Sequence, residues 1–240
     1  MRTAPSAVAP APVVADLSAV DDTAELSYKT SHKPSLNSNL ESHPSQSLLA
    51  DGAIANMDWE TLRRTALQCE RCELHRTRTQ VVFGVGDQQA QWLVVGEAPG
   101  AEEDRQGEPF VGRAGQLLNN MLLAIGLRRE QIYIANVLKC RPPNNRDPKP
   151  EEAACCEPYL KRQVALLQPK IILAVGRIAA QNLLKTDASL SQLRGRTFSY
   201  EQGTPLVVTY HPAYLLRSPR EKRKAWQDLQ NAVKVFKQQT

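Results

Sequence analysis

Apolar and polar positions fall into regular rhythms along this chain only from residue 58 onward. Asp58–Gln68 has helical spacing and runs into Cys69-Glu-Arg-Cys72. The apolar run QWLVV at 91–95 stops at Gly96, as a buried strand does. Arg113–Ile125 places Leu117, Leu118, Met121, Leu122 and Ile125 on one helical face, closed by Gly126. Ile132–Val137 predicts a second strand and Lys170–Val175 a third, with a helix over Pro150–Leu167 between them. Arg177–Lys185 reads as another helix, and Arg196–Glu201 and Leu206–Tyr210 as two more strands. Ser218-Pro-Arg-Glu221 has the form of a capping box with proline at N1, opening a last helix that repeats Trp226, Leu229, Val233 and Phe236 along one face.

Strands alternating with helices imply an α/β fold with a largely parallel sheet covered on both faces. Ligands in that architecture sit beyond the carboxyl ends of the strands. Three loops begin at such ends, after Val95, Val137 and Tyr210, and they hold the least ordinary residues of the chain.

Residues 1–57 behave differently. They are rich in Ala, Pro, Ser and Asn, keep no apolar period, and have Tyr28 as their only aromatic. Such a segment buries too little surface to offset its ordering entropy, so 1–57 is predicted to be a disordered, low-complexity tail. It is either an unconstrained extension or a tether for an unknown protein partner. Residues 58–240 are predicted to form one domain, expected to be monomeric.

The net charge of +5 conceals an uneven distribution. The tail holds three basic and six acidic residues, leaving 27 and 19 in 58–240, so the domain carries +8. That balance suits a polyanion partner without requiring one. No run of 18 apolar residues is present, which argues against a membrane-spanning helix. The N-terminus lacks a continuous apolar core for a secretory signal, and five cysteines in 240 residues do not make a disulfide scaffold. The expected setting is cytoplasmic, with cysteines reduced or metal-bound.

Cys69 and Cys72 form a C-x2-C pair, Cys140 follows 68 positions after Cys72, and Cys155 and Cys156 lie 15 and 16 positions beyond. Four thiolates suit a zinc site or an iron–sulfur cluster, and spacing alone does not choose between them. On the helix over Pro150–Leu167 the inward face is Ala153, Cys156, Leu160, Val164 and Leu167. Neighbours point about 100° apart, so Cys156 is the predicted fourth ligand and Cys155 turns away.

At the strand ends, Gly96-Glu97-Ala98-Pro99-Gly100 makes a tight turn without the G-K-[ST] ending of a triphosphate-binding loop. The run Glu102-Glu103-Asp104 reads as solvated charge, with a cation site as the alternative. Phe110 is an isolated aromatic in a polar loop, either a core plug or a stacking surface for a base. Asn136 ends the second strand with one amide donor and one acceptor, the pattern that reads a nucleobase edge. His211, fixed by the following proline, suits general-acid or anion-stabilising chemistry.

Together GEAPG at 96–100, PFVGRAGQLL at 109–118, NVLKCRPPNNRDPKPEE at 136–152 and HPAYLL at 211–216 resemble the family 4 uracil-DNA glycosylases over roughly residues 58–236. The four cysteines match the cluster spacing of that family, with Cys156 in the fourth place. The resemblance implies a three-layer α/β/α sandwich with a central, mostly parallel sheet, a [4Fe–4S] cluster of structural role (zinc being the alternative), and excision of uracil from DNA. It further implies that Phe110 stacks on the flipped uracil, that Asn136 bonds its Watson–Crick edge, and that His211 contacts its O2. Gly96 and Ala98 of the turn border the base, and Glu97 shapes the pocket on its water side. The loop after Asn136 lacks the basic, histidine-bearing insertion of relatives that trap uracil covalently, so turnover is expected.

Leu215, Leu216 and Arg217 follow His211 closely enough to enter the minor groove, or else the leucines start a packed helix. Arg113, Lys139, Arg141 and the cluster Arg220, Lys222, Arg223 and Lys224 are candidates for phosphates. A competing reading keeps the fold but not the chemistry, as a non-catalytic four-cysteine metal protein that binds nucleic acid. The trio Phe110, Asn136 and His211 favours the enzyme.

Overall fold

QWLVV does become a fully buried strand, and its neighbours explain why. The computed structural model describes residues 51–201 and 203–239. In chain order these form α1 (Asp51–Ile54), α2 (Trp59–Leu67), β1 (Val85–Gly86), β2 (Trp92–Gly96), α3 (Ala101–Gln106), α4 (Arg113–Leu123), β3 (Tyr133–Asn136), α5 (Pro150–Leu167), β4 (Ile171–Val175), α6 (Arg177–Leu184), α7 (Leu190–Leu193), β5 (Thr197–Tyr200), β6 (Thr204–Thr209), α8 (Pro212–Arg217) and α9 (Lys222–Lys237). The sheet order is β1-β3-β2-β4-β6-β5. β3, β2, β4 and β6 run parallel, and β1 and β5 close the edges antiparallel.

Successive side chains of the four parallel strands enter opposite cores, which is the three-layer arrangement expected. Leu93, Val95, Ala135, Ile172, Ala174, Leu206 and Val208 join α2, α5, α6 and α7 on one face. Trp92, Val94, Ile134, Ile171, Leu173, Val175 and Val207 join α4, α8 and α9 on the other. The cysteines lie on the first side and Phe110 on the second.

Three features differ from the sequence expectation. Ile54 is fully buried and α1 packs against α5, so residues 51–57 belong to the folded domain rather than to the tail; the expectation for residues 1–50 lies outside the described residues. In α9 the inward face is Ala225, Asp228, Leu229, Ala232 and Val235, while Trp226 is exposed. The apolar count favoured Trp226, but burying Asp228 against Arg194 and Thr209 rotates the helix. Ser218 makes no side-chain cap, because Glu221 accepts from Tyr210 Oη and pairs with Lys224 instead. Among the described residues no helix is long and apolar enough to cross a membrane.

Candidate active site

β2 and β3 pair in register from Leu93 with Tyr133 to Gly96 with Asn136. The pairing continues past the strand ends, where Val137 and Leu138 donate to the carbonyls of Gly96 and Glu97 at 3.0 Å each. This zipper fixes the GEAPG turn beside Asn136 at the carboxyl edge of the sheet. A cleft of about 410 Å³ opens there, lined by Glu97, Ala98, Glu103, Phe110, Asn136 and His211 among others.

Asn136 is buried, and its Oδ1 has no partner within the protein. A Cβ placed on Gly96 would stand 2.4 Å from that oxygen and 2.6 Å from Phe110 Cζ. Residue 96 is therefore glycine so that the carboxamide and the ring can close on one spot. Phe110 is held at φ 55°, a left-handed angle that bulky residues avoid. Glu103 Oε1 accepts from the N–H groups of Val111 and Gly112 at 3.0 and 3.1 Å, and Arg129 donates to the carbonyls of Pro109 and Phe110. Gly115 completes the fixture, since any side chain there would strike the Phe110 carbonyl.

His211 caps the N-terminus of α8, its Nδ1 accepting from Ala213 N–H at 3.1 Å. With Nδ1 an acceptor, the neutral ring carries its proton on Nε2. Burial, reinforced by the Arg217 charge, pulls its pKa down to about 4, so the ring is neutral at physiological pH. Its ring centroid lies 5.6 Å from that of Phe110. Burial, then the Asp147 charge, pushes the Glu97 carboxyl up to about 7 against the opposing Arg177 guanidinium.

The acidic run is neither a solvated face nor a cation site as a unit. Glu103 holds the Phe110 loop, Asp104 is buried and accepts from Thr79 and Gln80 N–H, and only Glu102 is surface-paired, with Arg105. Leu215 is 1 % exposed in the core, which removes it as a wedge, whereas Leu216 and Arg217 are exposed beside the cleft and Arg113 is exposed at the start of α4. Lys139 is buried and out of reach of any phosphate. Arg129 had no sequence signal, and Glu103 and Gly115 stood out only as members of an acidic run and of the PFVGRAGQLL stretch, because all three act on the backbone around Phe110.

On the opposite side of the sheet Cys69, Cys72, Cys140, Cys155 and Cys156 line one small cavity with Arg71, Arg78, Lys139 and Tyr159. Cys156 and Cys140 are buried, and Cys155 is half-buried, still at the rim rather than turned away. Burial first, and then neighbouring thiols, pushes Cys72 up to about 11; burial likewise pushes Cys156 up to about 12. Arg78 donates to Cys140 Sγ at 3.2 Å, while Arg71 Nε and Nη1 and Tyr159 Oη are buried without partners. Among the described residues, no three His, Cys, Asp or Glu groups form a site for a single metal ion.

A sequence profile of the uracil DNA glycosylase superfamily matches residues 83–230. The chain is 48 % identical over 164 residues to a type-4 uracil-DNA glycosylase of Archaeoglobus fulgidus, covering 65 % of this chain and 82 % of that protein. It is 41 % identical over 183 residues to the type-4 enzyme of Thermotoga maritima, covering 75 % and 95 %. A type-5 uracil-DNA glycosylase of Thermus thermophilus matches at 35 % over 149 residues, covering 54 % and 68 %.

Proposed function

This chain belongs to the uracil DNA glycosylase superfamily, and from that premise we propose that it flips uracil out of DNA and hydrolyses its N-glycosidic bond, leaving an abasic site. The observation that carries the reading is the unpartnered Asn136 Oδ1, buried against Phe110 and opening on the cleft that holds His211. A buried acceptor without a partner costs roughly 1–3 kcal/mol, and uracil N3–H satisfies it.

The Asn136 amide then donates to O4. Cytosine presents an amino group and a bare N3, so both contacts become repulsive, and the extruded base is read by its edge. Phe110 stacks on the base, while Gly96 and Ala98 border it. As the C1′–N1 bond breaks, its electron pair moves into the uracil ring and charge gathers on O2. The neutral His211 donates Nε2–H to that oxygen, stabilising the anion where it develops. Water adds to C1′, and Glu97, with a pKa near neutrality, receives its proton. Leu216 and Arg217 are the exposed groups at the rim that face the DNA, with Arg113 as a phosphate contact.

Cys69, Cys72, Cys140 and Cys156 are assigned to a [4Fe–4S] cluster. The donor set fits: thiols round one cavity, with the guanidinium groups of Arg71 and Arg78 and the Lys139 ammonium on its walls, suit a centre with net negative charge. These four cysteines would hold the cluster from the segment after α2, the loop after β3 and α5, so its role there would be structural. Brown protein that bleaches on oxidation supports this assignment; colourless protein with stoichiometric zinc refutes it.

Incubation with a uracil-containing single-stranded oligonucleotide, followed by alkali, tests the activity. Strand cleavage at the uracil is expected, and its absence with cluster-loaded protein overturns the reading. Asn136→Ala is expected to lose most of the rate; an unchanged rate removes Asn136 from the site.

A further inference from the structure

We propose that Lys139 is a positioning residue that couples the charge of the four-cysteine site to the base-reading Asn136. The inference rests on the cluster assignment above. Lys139 stands between Asn136 and Cys140 in the chain, and its side chain turns inward, 2 % exposed. Its Nζ donates to the Asn136 carbonyl at 2.8 Å and to Gln163 Oε1 at 2.7 Å. Gln163 is itself anchored, donating to the Phe83 carbonyl at 3.0 Å and to Tyr133 Oη at 3.3 Å.

Both acceptors are neutral, and an ammonium has three protons. On its remaining side Lys139 lines the same cavity as Cys140 and Cys156. A buried cation with neutral partners alone is costly, so the net negative charge of the assigned cluster would hold it in place. One ammonium thus touches both sites. It grips the main chain of the residue whose side chain reads the base, at the point where β3 leaves the sheet.

The sign of the coupling follows from electrostatics. One more electron on the sulfur side draws the ammonium away from the Asn136 carbonyl and loosens the carboxamide. Uracil binding, which needs that carboxamide fixed, therefore favours the oxidised cluster. By linkage, uracil must lower the reduction potential of the cluster.

The test is a reductive titration of the cluster-loaded wild-type protein, followed by its visible absorbance, with and without saturating free uracil. A threefold preference of uracil for the oxidised form corresponds to a fall of about 28 mV, from 59 mV per tenfold for one electron. An identical potential with and without uracil overturns the coupling. In Lys139→Met the uracil-induced shift is expected to vanish, and the inhibition constant for free uracil to rise about tenfold. A shift that persists in this variant shows that the route bypasses Lys139. If Lys139→Met fails to retain the chromophore, Lys139→Gln and the wild-type titration decide. Colourless wild-type protein sinks the cluster assignment itself, whereas brown protein with a uracil-independent potential sinks only the coupling.

Discussion

Gly96→Ala isolates the reading geometry with a single methyl group. The backbone there lies outside the left-handed region, so alanine meets no conformational penalty. Its Cβ would stand 2.4 Å from Asn136 Oδ1 and 2.6 and 2.7 Å from Phe110 Cζ and Cε2. Carbon–carbon contacts are optimal at about 3.5–4.0 Å, so the ring or the carboxamide must retreat by about 1 Å. A displacement of about 1 Å in a positioning group costs on the order of 100-fold in rate. Overpacking of this kind destabilises a domain by about 1–3 kcal/mol, or a Tm drop below roughly 12 °C at this size. The assay is single-turnover cleavage of a uracil oligonucleotide at a temperature where both proteins are folded, with a melting curve alongside. Gly52→Ala, whose Cβ would meet nothing within 4 Å, is the control. A rate within threefold of wild type in Gly96→Ala would show that Asn136 and Phe110 do not meet on the base.

Glu97 holds its proton more tightly in the fold than in the unfolded chain, so its stabilising contribution is complete below about pH 4 and is lost as pH rises through about 7. Glu97→Gln is therefore expected to gain stability relative to wild type at pH 8 but not at pH 4; equal urea-midpoint differences at both would refute the raised pKa. In the same variant the rise of the single-turnover rate through pH 7 should disappear. Asp228→Ala strands Arg194, which pairs through Nε at 2.7 Å, and frees Thr209 beneath the loop carrying His211. Breaking such a buried pair costs about 3–5 kcal/mol, and a loss under 1 kcal/mol in urea unfolding would contradict it. Cys156→Ser is expected to abolish chromophore retention while Cys155→Ser keeps it, read from absorbance and iron content; the opposite result reverses the ligand assignment.

The central strands β2, β3 and β4 were legible because they are buried on both faces, whereas the two-residue edge strand β1 carries no apolar run and was not predicted. The run at Trp92–Val95 and the run at Ile171–Val175 admit no other element of that length between glycines and helices. Asn136 and His211 at strand ends and Phe110 in a polar loop are locally out of place in the sequence, and the fold gathers all three at one cleft. Trp226 misled because a helix face is chosen by the sum of its partners, and the buried triad of Asp228, Arg194 and Thr209 outweighs one indole. Lys139 misled for a related reason. A lysine in a basic loop normally meets water, and nothing local reveals that a carbonyl three residues earlier and a glutamine 24 residues later will enclose it. Leu215 and Leu216 are adjacent and chemically identical, so only the orientation of α8 separates the core residue from the exposed one.

The left-handed backbone at Phe110 has a thermodynamic consequence for product release. Strain of that kind amounts to about 1–3 kcal/mol and is met once, during folding, by Arg129, Glu103 and Gly115. On the proposed reading the backbone of the aromatic wall is ordered before any base arrives and stays so after the base departs. Free uracil then leaves a surface as ordered as the one it entered.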